Sequence, residues 1–217
     1  MVQPGYYQGN IEINDAITTT GTQLYNSAVT LAAAANLTGS TVTFSGALNS
    51  EASEANTLAV TGNAIFGSTV GTGTNGSLGS LSVSGTSSIE SDITIVGTQL
   101  YTGAVTLTGS PTLTTTNSAI TFSDALNSEA SEANSLTTSL GSGALLFSGA
   151  VGTGTNGALG TIAITNSGGV TFSDALTAGV LNLSGVSAGA VALGGSATLT
   201  TLTTGSGAYN LALTGAI

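Results

Sequence analysis

Residues Thr43 to Asn56 read TFSGALNSEASEAN, and residues Thr121 to Asn134 read TFSDALNSEASEAN. The two stretches differ only at Gly46, which is Asp124 in the second copy. Long self-similarity at a fixed spacing is typical of repeat architectures, in which each unit buries its apolar face against its neighbours. This duplication therefore predicts a stacked, repetitive fold.

Shorter duplications extend the same repeat in both directions. GTQLY at Gly21 to Tyr25 recurs at Gly97 to Tyr101, and VGTGTNG at Val70 to Gly76 recurs at Val151 to Gly157. A third TFSDAL begins at Thr171. The distance between copies grows from the first motif to the last, which indicates small insertions, and a solenoid tolerates these at its corners. We expect one β-solenoid over residues 1–217, with repeat 1 at about 9–90, repeat 2 at about 91–170 and a partial repeat 3 at about 171–217.

Alternation of apolar and polar residues is the dominant period, and no sustained helical pattern competes with it. Thr, Val and Ile favour strands, while Gly, Asn and Ser separate them. The fold class is therefore all-β, a parallel β-helix of about eleven coils if a coil takes about 20 residues. The expected strands include Ala28–Leu31, Thr41–Phe44, Thr57–Val60, Leu81–Val83, Ala104–Leu107, Ala119–Phe122, Ile162–Ile164 and Tyr209–Ile217.

The segment Ser50 to Asn56 departs from this alternation. It is compatible with one helical turn, for which Ser50 would be the N-cap, or with a corner loop. In either case we expect it to project from the surface of the rod.

Composition excludes several classes of function. The chain has no Lys, Arg, His or Cys, carries ten carboxylates, and has a formal charge of −10. Without cationic side chains, binding to nucleic acid or to anionic lipid is not expected. Without His or Cys there is no Ser-His-Asp triad, no thiolate nucleophile and no ordinary zinc site. The sequence contains no run of about 18 apolar residues, so no transmembrane helix is predicted.

The order of the motifs resembles that of large secreted bacterial exoproteins of the filamentous-haemagglutinin type. The matching pieces are a GTQ-x-Y-x-x-AVTL block at Gly21 to Leu31, TVTF followed by Gly-Ala-Leu at Thr41 to Leu48, and short strands at Thr57 to Val60 and Leu78 to Val83. The similarity covers about residues 9–176. It implies a right-handed parallel β-helix outside the cell with an adhesive, matrix or fibre role.

The carboxylates are the only candidates for chemistry. Paired carboxylates can hydrolyse glycosidic bonds, and oxygen ligands can bind calcium. Because Glu51 and Glu54 recur as Glu129 and Glu132, solvated loop charge is the preferred interpretation. No calcium-loop motif is present either. On these two grounds we assign no catalytic residue, no cofactor and no metal site. The full set is Glu12, Asp15, Glu51, Glu54, Glu90, Asp92, Asp124, Glu129, Glu132 and Asp174.

Two ligand-binding alternatives stay open. Ranks of threonine could match an ice lattice, and the best stretches for this are Thr112 to Thr116 and Thr198 to Thr204. Tyrosines could stack on sugars or could simply pack in the core. The five tyrosines are Tyr6, Tyr7, Tyr25, Tyr101 and Tyr209.

The sequence thus predicts a non-enzymatic, extracellular or cell-surface structural protein, a rigid rod that forms a fibre or an adhesin segment. The alternative is a polysaccharide-binding or ice-binding solenoid. We expect end-to-end self-association or continuation in a longer chain, because the alternating C-terminal segment offers an uncapped edge. Contact with a surface glycan or a host matrix is the further partner expectation. Met1 to Tyr7 lacks the pattern of a secretory signal, so secretion would require a longer natural chain.

Overall fold

The computed structural model describes residues 9–72, 76–155 and 157–215. The candidates Tyr6 and Tyr7, and Asn75 and Asn156 in the two VGTGTNG motifs, lie outside these ranges. The described chain is a parallel β-solenoid of about 9 turns without helix, which confirms the expected fold class. In this part of the chain no helix is long and apolar enough to cross a membrane.

The strands are short, and most contain three or four residues. In chain order they are β1 (Ile11–Ile13), β2 (Ile17–Thr18), β3 (Thr22–Tyr25), β4 (Val29–Leu31), β5 (Ala35–Phe44), β6 (Leu48–Ser50), β7 (Leu58–Phe66), β8 (Leu81–Val83), β9 (Ser87–Ile89), β10 (Ile93–Ile95), β11 (Gln99–Tyr101), β12 (Val105–Leu107), β13 (Thr112–Thr115), β14 (Ile120–Phe122), β15 (Leu126–Ser128), β16 (Leu136–Ser139), β17 (Ala144–Phe147), β18 (Leu159–Asn166), β19 (Gly169–Phe172), β20 (Leu176–Leu183), β21 (Ala188–Leu193), β22 (Ala197–Thr204) and β23 (Ala208–Leu213).

Parallel pairing stacks these strands into three ladders, which the chain visits in the order 1, 2, 3 on every turn. Ladder 1 begins β1-β4-β6 and continues through β10, β13 and β16. Ladder 2 contains β2, β8, β11, β14, β17, β19, β21 and β23. Ladder 3 contains β3, β9, β12 and β15. The longer strands turn a corner: β5 and β7 pass from ladder 2 to ladder 3, and β18, β20 and β22 from ladder 3 to ladder 1.

The core is a set of side-chain columns, because alternate residues of each strand point inward in register with the strands above and below. Two columns are aromatic, with ring centroids between 4.6 and 5.8 Å apart and nearly parallel rings. The first stack lies on ladder 3 and the second on ladder 2. Their members are Tyr25, Phe44 and Phe66, and then Tyr101, Phe122, Phe147 and Phe172.

Each aromatic stack begins with a tyrosine whose hydroxyl is satisfied by a buried glutamine. The Tyr101 hydroxyl donates to Gln99 Oε1 at 3.0 Å, and Gln99 Nε2 donates to the Thr114 carbonyl at 3.0 Å. Tyr25 and Gln23 repeat the first of these bonds at 2.8 Å. Buried polar groups are costly unless they are paired, so these bonds permit a tyrosine inside the solenoid. Burial raises the pKa of Tyr101 far above its usual range.

The turns vary in length, and the expected count of about eleven coils is wrong. The turn that leads from Ile11 to its partner Val29 is much shorter than the turn that leads from Leu136 to its partner Ile162. The longer turns carry loops outside the core, so the chain completes about 9 turns.

The sequence repeat does not contain a whole number of turns. From Leu48 on ladder 1, the same ladder continues through Val70, Ile93 and Leu113, which is three turns. The counterpart of Leu48 in the second repeat is Leu126, and this residue lies two ladders further on, in ladder 3. Equivalent residues of the two repeats therefore point in different directions around the rod.

Candidate functional site

Two acidic loops leave the solenoid at corresponding points of the two repeats. The first acidic loop, residues 51–57, follows β6 of ladder 1, and the second, residues 129–135, follows β15 of ladder 3. Neither forms a helical turn, so of the two alternatives for Ser50 to Asn56 the corner loop is correct. The reason is visible in the bonding of Ser50, which ends a strand instead of capping a helix.

A serine and an asparagine close the first acidic loop. Ser50 Oγ accepts a hydrogen bond from the Asn56 amide at 2.9 Å. Asn56 Nδ2 donates to the Leu31 carbonyl of the preceding turn at 3.0 Å and to Glu54 Oε2 at 2.9 Å. The loop is thus tied to the rod through Asn56, and Glu54 is held against it.

The second acidic loop repeats this arrangement. The Asn134 amide donates to Ser128 Oγ at 2.9 Å, and Asn134 Nδ2 donates to Glu132 Oε2 and to the Leu107 carbonyl, both at 3.0 Å. In both loops the third residue, Ser53 or Ser131, has a φ of 70°. The identical octapeptide therefore specifies an identical loop, although the ladder beneath it differs.

The described ends of the two VGTGTNG motifs lie one turn above the acidic loops. Val70 and Leu78 pair with Ile93 and Ile95, which are close neighbours on one strand of ladder 1. The Gly76 carbonyl accepts a bond from the Ser50 amide at 2.8 Å. In the second repeat Gly157 accepts from the Ser128 amide at 2.9 Å. Gly76 and Gly157, the last residues of the two VGTGTNG motifs, are therefore each bonded to the serine that precedes an acidic loop.

The surface of these loops is shallow and acidic. A groove of about 270 Å³ beside the first acidic loop is lined by Ser53, Glu54, Ser77 and Val96. Partial desolvation, the charge of Glu132, a hydrogen bond with Glu132 and the charge of Glu90 together raise the pKa of Glu129. Desolvation and neighbouring like charges both disfavour the charged form of a carboxyl group, and the chain has no cationic side chain that would offset them.

The structure does not gather the carboxylates into one centre. Nine of the ten lie in loops or at corners, and the tenth, Glu12, points outward from β1. Among residues 9–72, 76–155 and 157–215, no group of three or more such side chains could hold a metal ion. Glu51 and Glu54 are also separated from Glu129 and Glu132 by the rotation between repeats.

The aspartates have a local role that sequence reasoning missed. Asp124 Oδ1 accepts a hydrogen bond from the following amide of Ala125 at 2.7 Å, and Asp174 and Asp15 do the same for Ala175 and Ala16. The repeated Asp-Ala pair in TFSDAL was the signal that could have identified these tight corners.

The structure decides the role of two of the candidate tyrosines. Tyr25 is 9% exposed and Tyr101 is 0% exposed, so their rings pack in the core and cannot stack on a sugar. Tyr209 is half-buried on β23, and its hydroxyl accepts a bond from the Gly205 amide at 3.0 Å.

The threonine stretches do not form long ranks. Along ladder 1, Thr112 and Thr137 are followed by Ala163 and Asn182 before Thr203. In the described pairings the longest outward rank of threonine is Thr18, Thr38 and Thr61. So short a rank gives little area for a match to an ice lattice.

The fold and the paired loops define a class, a parallel β-solenoid repeat protein. Comparison with protein-family profiles, with curated proteins and with solved structures gives no match to this chain. The class therefore rests on the geometry of the ladders and on the internal repeat.

The acidic loops should be the first points of cleavage by a glutamate-specific protease. Within the described residues, Ala52, Ser53 and Ala55 make no backbone hydrogen bond to a neighbouring turn. The segment after Glu90 is held on both sides, by the Glu90 amide to Phe66 and by the Val70 amide to Asp92. We expect cuts after Glu51, Glu54, Glu129 and Glu132, measured by mass spectrometry of a time course. The nicked rod should keep its circular dichroism spectrum, because the ladders are intact.

The control is a variant in which these four glutamates are glutamine, which should resist the protease. First cleavage after Glu12 or Glu90 would contradict the loop assignment.

Proposed function

We propose that the protein is a non-enzymatic structural rod of the cell exterior, a segment of a fibre or adhesin. The observation that supports this most is the uninterrupted column of buried side chains through about 9 turns, with every carboxylate outside it. A continuous core of this kind makes each turn a template for the next and resists bending. Residues that could carry catalysis are scattered.

The extracellular and adhesive part of the proposal rests on the resemblance to exoproteins of the filamentous-haemagglutinin type. The motifs that carry this resemblance contribute to the core: the tyrosine of GTQLY begins an aromatic stack, and the apolar residues of AVTL and TVTF point inward. The absence of Lys and Arg also removes every trypsin site, which suits a protein exposed to proteases.

End-to-end association is the partner we propose for the rod. The last described strands, β22 and β23, contain no charge and no proline, and Leu211 and Leu213 are 36% and 42% exposed. An open strand edge without such protection pairs readily with another strand. Its partner is the first turn of another copy or further turns of the same chain.

Electron microscopy of the purified protein, together with small-angle X-ray scattering, tests the proposal. We expect a rod about 43 Å long for nine turns at about 4.8 Å each, and filaments built from such rods. A variant with Leu211→Glu and Leu213→Glu should shorten the filaments, whereas Thr106→Glu on the side of the rod should not. A compact globule in scattering would refute the structural role, as would turnover of a polysaccharide that a single carboxylate variant abolishes.

A further inference from the structure

The first described turn, called the lower end of the rod, leaves an open strand edge on ladder 3. Strand β3 pairs with β5 above it, and the described residues place no strand beneath it. Higher on this ladder, the Ser45 amide donates to the Tyr25 carbonyl below it at 2.9 Å, and the Gly67 amide donates to the Phe44 carbonyl at 2.9 Å. The next amide down in this series is that of Asn26, for which the described residues provide no acceptor. The edge of β3 can therefore bind one more parallel strand.

The ladder 3 side of the lower end is enclosed, unlike the ladder 2 edges at either end of the rod. Tyr25, the lowest described member of the first aromatic stack, is only 9% exposed. Ile17 and Leu213, the inward residues of ladder 2 at the two ends, are 36% and 42% exposed. The exposure of Tyr25 is thus close to that of a residue in an inner turn, although no described strand lies beneath it.

A regular spacing identifies the segment that fits this edge. At three successive corners an aromatic residue of ladder 3 is followed, four positions later, by an aliphatic residue of ladder 1. The pairs are Tyr25 and Val29, Phe44 and Leu48, and Phe66 and Val70. Ile11 lies beneath Val29 on ladder 1, and the residue four positions before Ile11 is Tyr7. The same spacing therefore puts Tyr7 beneath Tyr25.

We propose that residues 4–8, which precede the described chain, form the strand that docks on the lower edge of β3 and caps the first aromatic stack. In this register the Tyr7 amide donates to the Leu24 carbonyl, and the Asn26 amide donates to the Tyr7 carbonyl. The Tyr7 ring then continues the stack below Tyr25, an arrangement that aromatic side chains favour when they are buried.

Proline at position 4 suits the role of an edge strand. On these ladders the amide of an inward residue faces the turn above, as the Val29 amide does in its bond to the Ala47 carbonyl. Pro4 and Tyr7 have opposite orientations because side chains alternate along a strand, so position 4 faces the turn below. Proline has no amide proton there to offer, and an edge proline discourages further pairing. The cap therefore closes ladder 3 and leaves β2 of the first turn open.

A pair of introduced cysteines tests this register directly, because the chain has no cysteine of its own. Tyr6→Cys with Leu24→Cys places two thiols on facing outward positions, where a strand spacing of about 4.8 Å permits a disulfide. Gln8→Cys with Leu24→Cys is the matched control, since a shift of two residues separates the Cα atoms by about 8 Å. We expect the first pair to form a disulfide within one chain at least tenfold faster, measured by mass spectrometry of dilute oxidised protein.

The stacking of Tyr7 has its own pair of variants. Tyr7→Ser should lower the midpoint of urea unfolding, because it removes the ring beneath Tyr25. Tyr6→Ser should leave the midpoint unchanged, because alternation directs Tyr6 outward. Circular dichroism should show that both variants are folded.

Equal oxidation rates for the two cysteine pairs, or an unchanged midpoint for Tyr7→Ser, would overturn the cap. A disulfide that forms only between two chains would overturn it too, since the occupant of the edge would then be another copy. The cap lies within one chain, so its test is separate from that of the proposed function. Failure to form filaments would reject end-to-end association without affecting the cross-link.

Discussion

Replacing Phe147 by alanine should cost about 3–5 kcal/mol of unfolding free energy, as is usual when a buried aromatic ring is truncated in a core. Phe147 is 0% exposed and lies in the middle of the second aromatic stack. Its ring centroid is 5.0 Å from that of Phe122 and 4.6 Å from that of Phe172. Its removal leaves a cavity that two rigid ladder strands cannot close, so both neighbouring rings lose a face of contact.

Urea unfolding followed by circular dichroism measures this loss. The control is Leu146→Ala, one residue earlier on β17, because Leu146 points outward and is only half-buried. This control should cost less than about 1 kcal/mol, since surface substitutions away from special features have small effects. Equal costs for the two variants would mean that the alternation of β17 is assigned to the wrong faces.

The second large effect is expected at a corner. Gly62 lies inside β7, where the strand passes from ladder 2 to ladder 3, and has a φ of 124°. A Cβ atom at this position would collide with the Gly39 carbonyl of the turn below. The left-handed backbone and the clash with rigid backbone add, so Gly62→Ala should destabilise the fold by about 2–5 kcal/mol.

The control for this corner is Gly21→Ala. A Cβ atom at Gly21 meets nothing within 4 Å, and the residue has no positive φ. Its replacement should be neutral or stabilise the protein by up to about 1 kcal/mol, because alanine reduces the entropy of the unfolded chain. The same urea experiment serves both variants. A Gly62 variant as stable as the Gly21 variant would show that the corner can relax.

Much of the fold could be predicted because it depends on local alternation. The segments around Val29, Val42 and Val105 were expected as strands, and these valines point into the core. Ser50 to Asn56 was expected to leave the rod because its carboxylates and small residues give a strand nothing to bury. The number of residues in each turn could not be predicted, since it depends on how many residues each loop contains before the next strand pairs.

The candidate site was predictable only in part. The duplicated acidic octapeptide was identifiable from the sequence, whereas the bonds from Asn56 to Leu31 and from Ser50 to Gly76 join turns that are distant in sequence. For the same reason Tyr25 and Tyr101 remained ambiguous. Each of these tyrosines ends its strand and packs inside, where a glutamine two residues earlier accepts its hydroxyl hydrogen bond. Which face of the strand is buried depends on the ladder.

By itself, the sequence determined that this chain is all-β, that it contains a long internal repeat, and that it lacks the cationic and thiol groups that many functions require. Only the tertiary structure decided which way each repeated residue points. The period-two pattern is the same on all three ladders, so it cannot distinguish one from another. The offset of two ladders between Leu48 and Leu126 arises from corners and loops whose lengths are fixed by packing between turns. That offset places Leu24 and Leu100 on different sides of the rod.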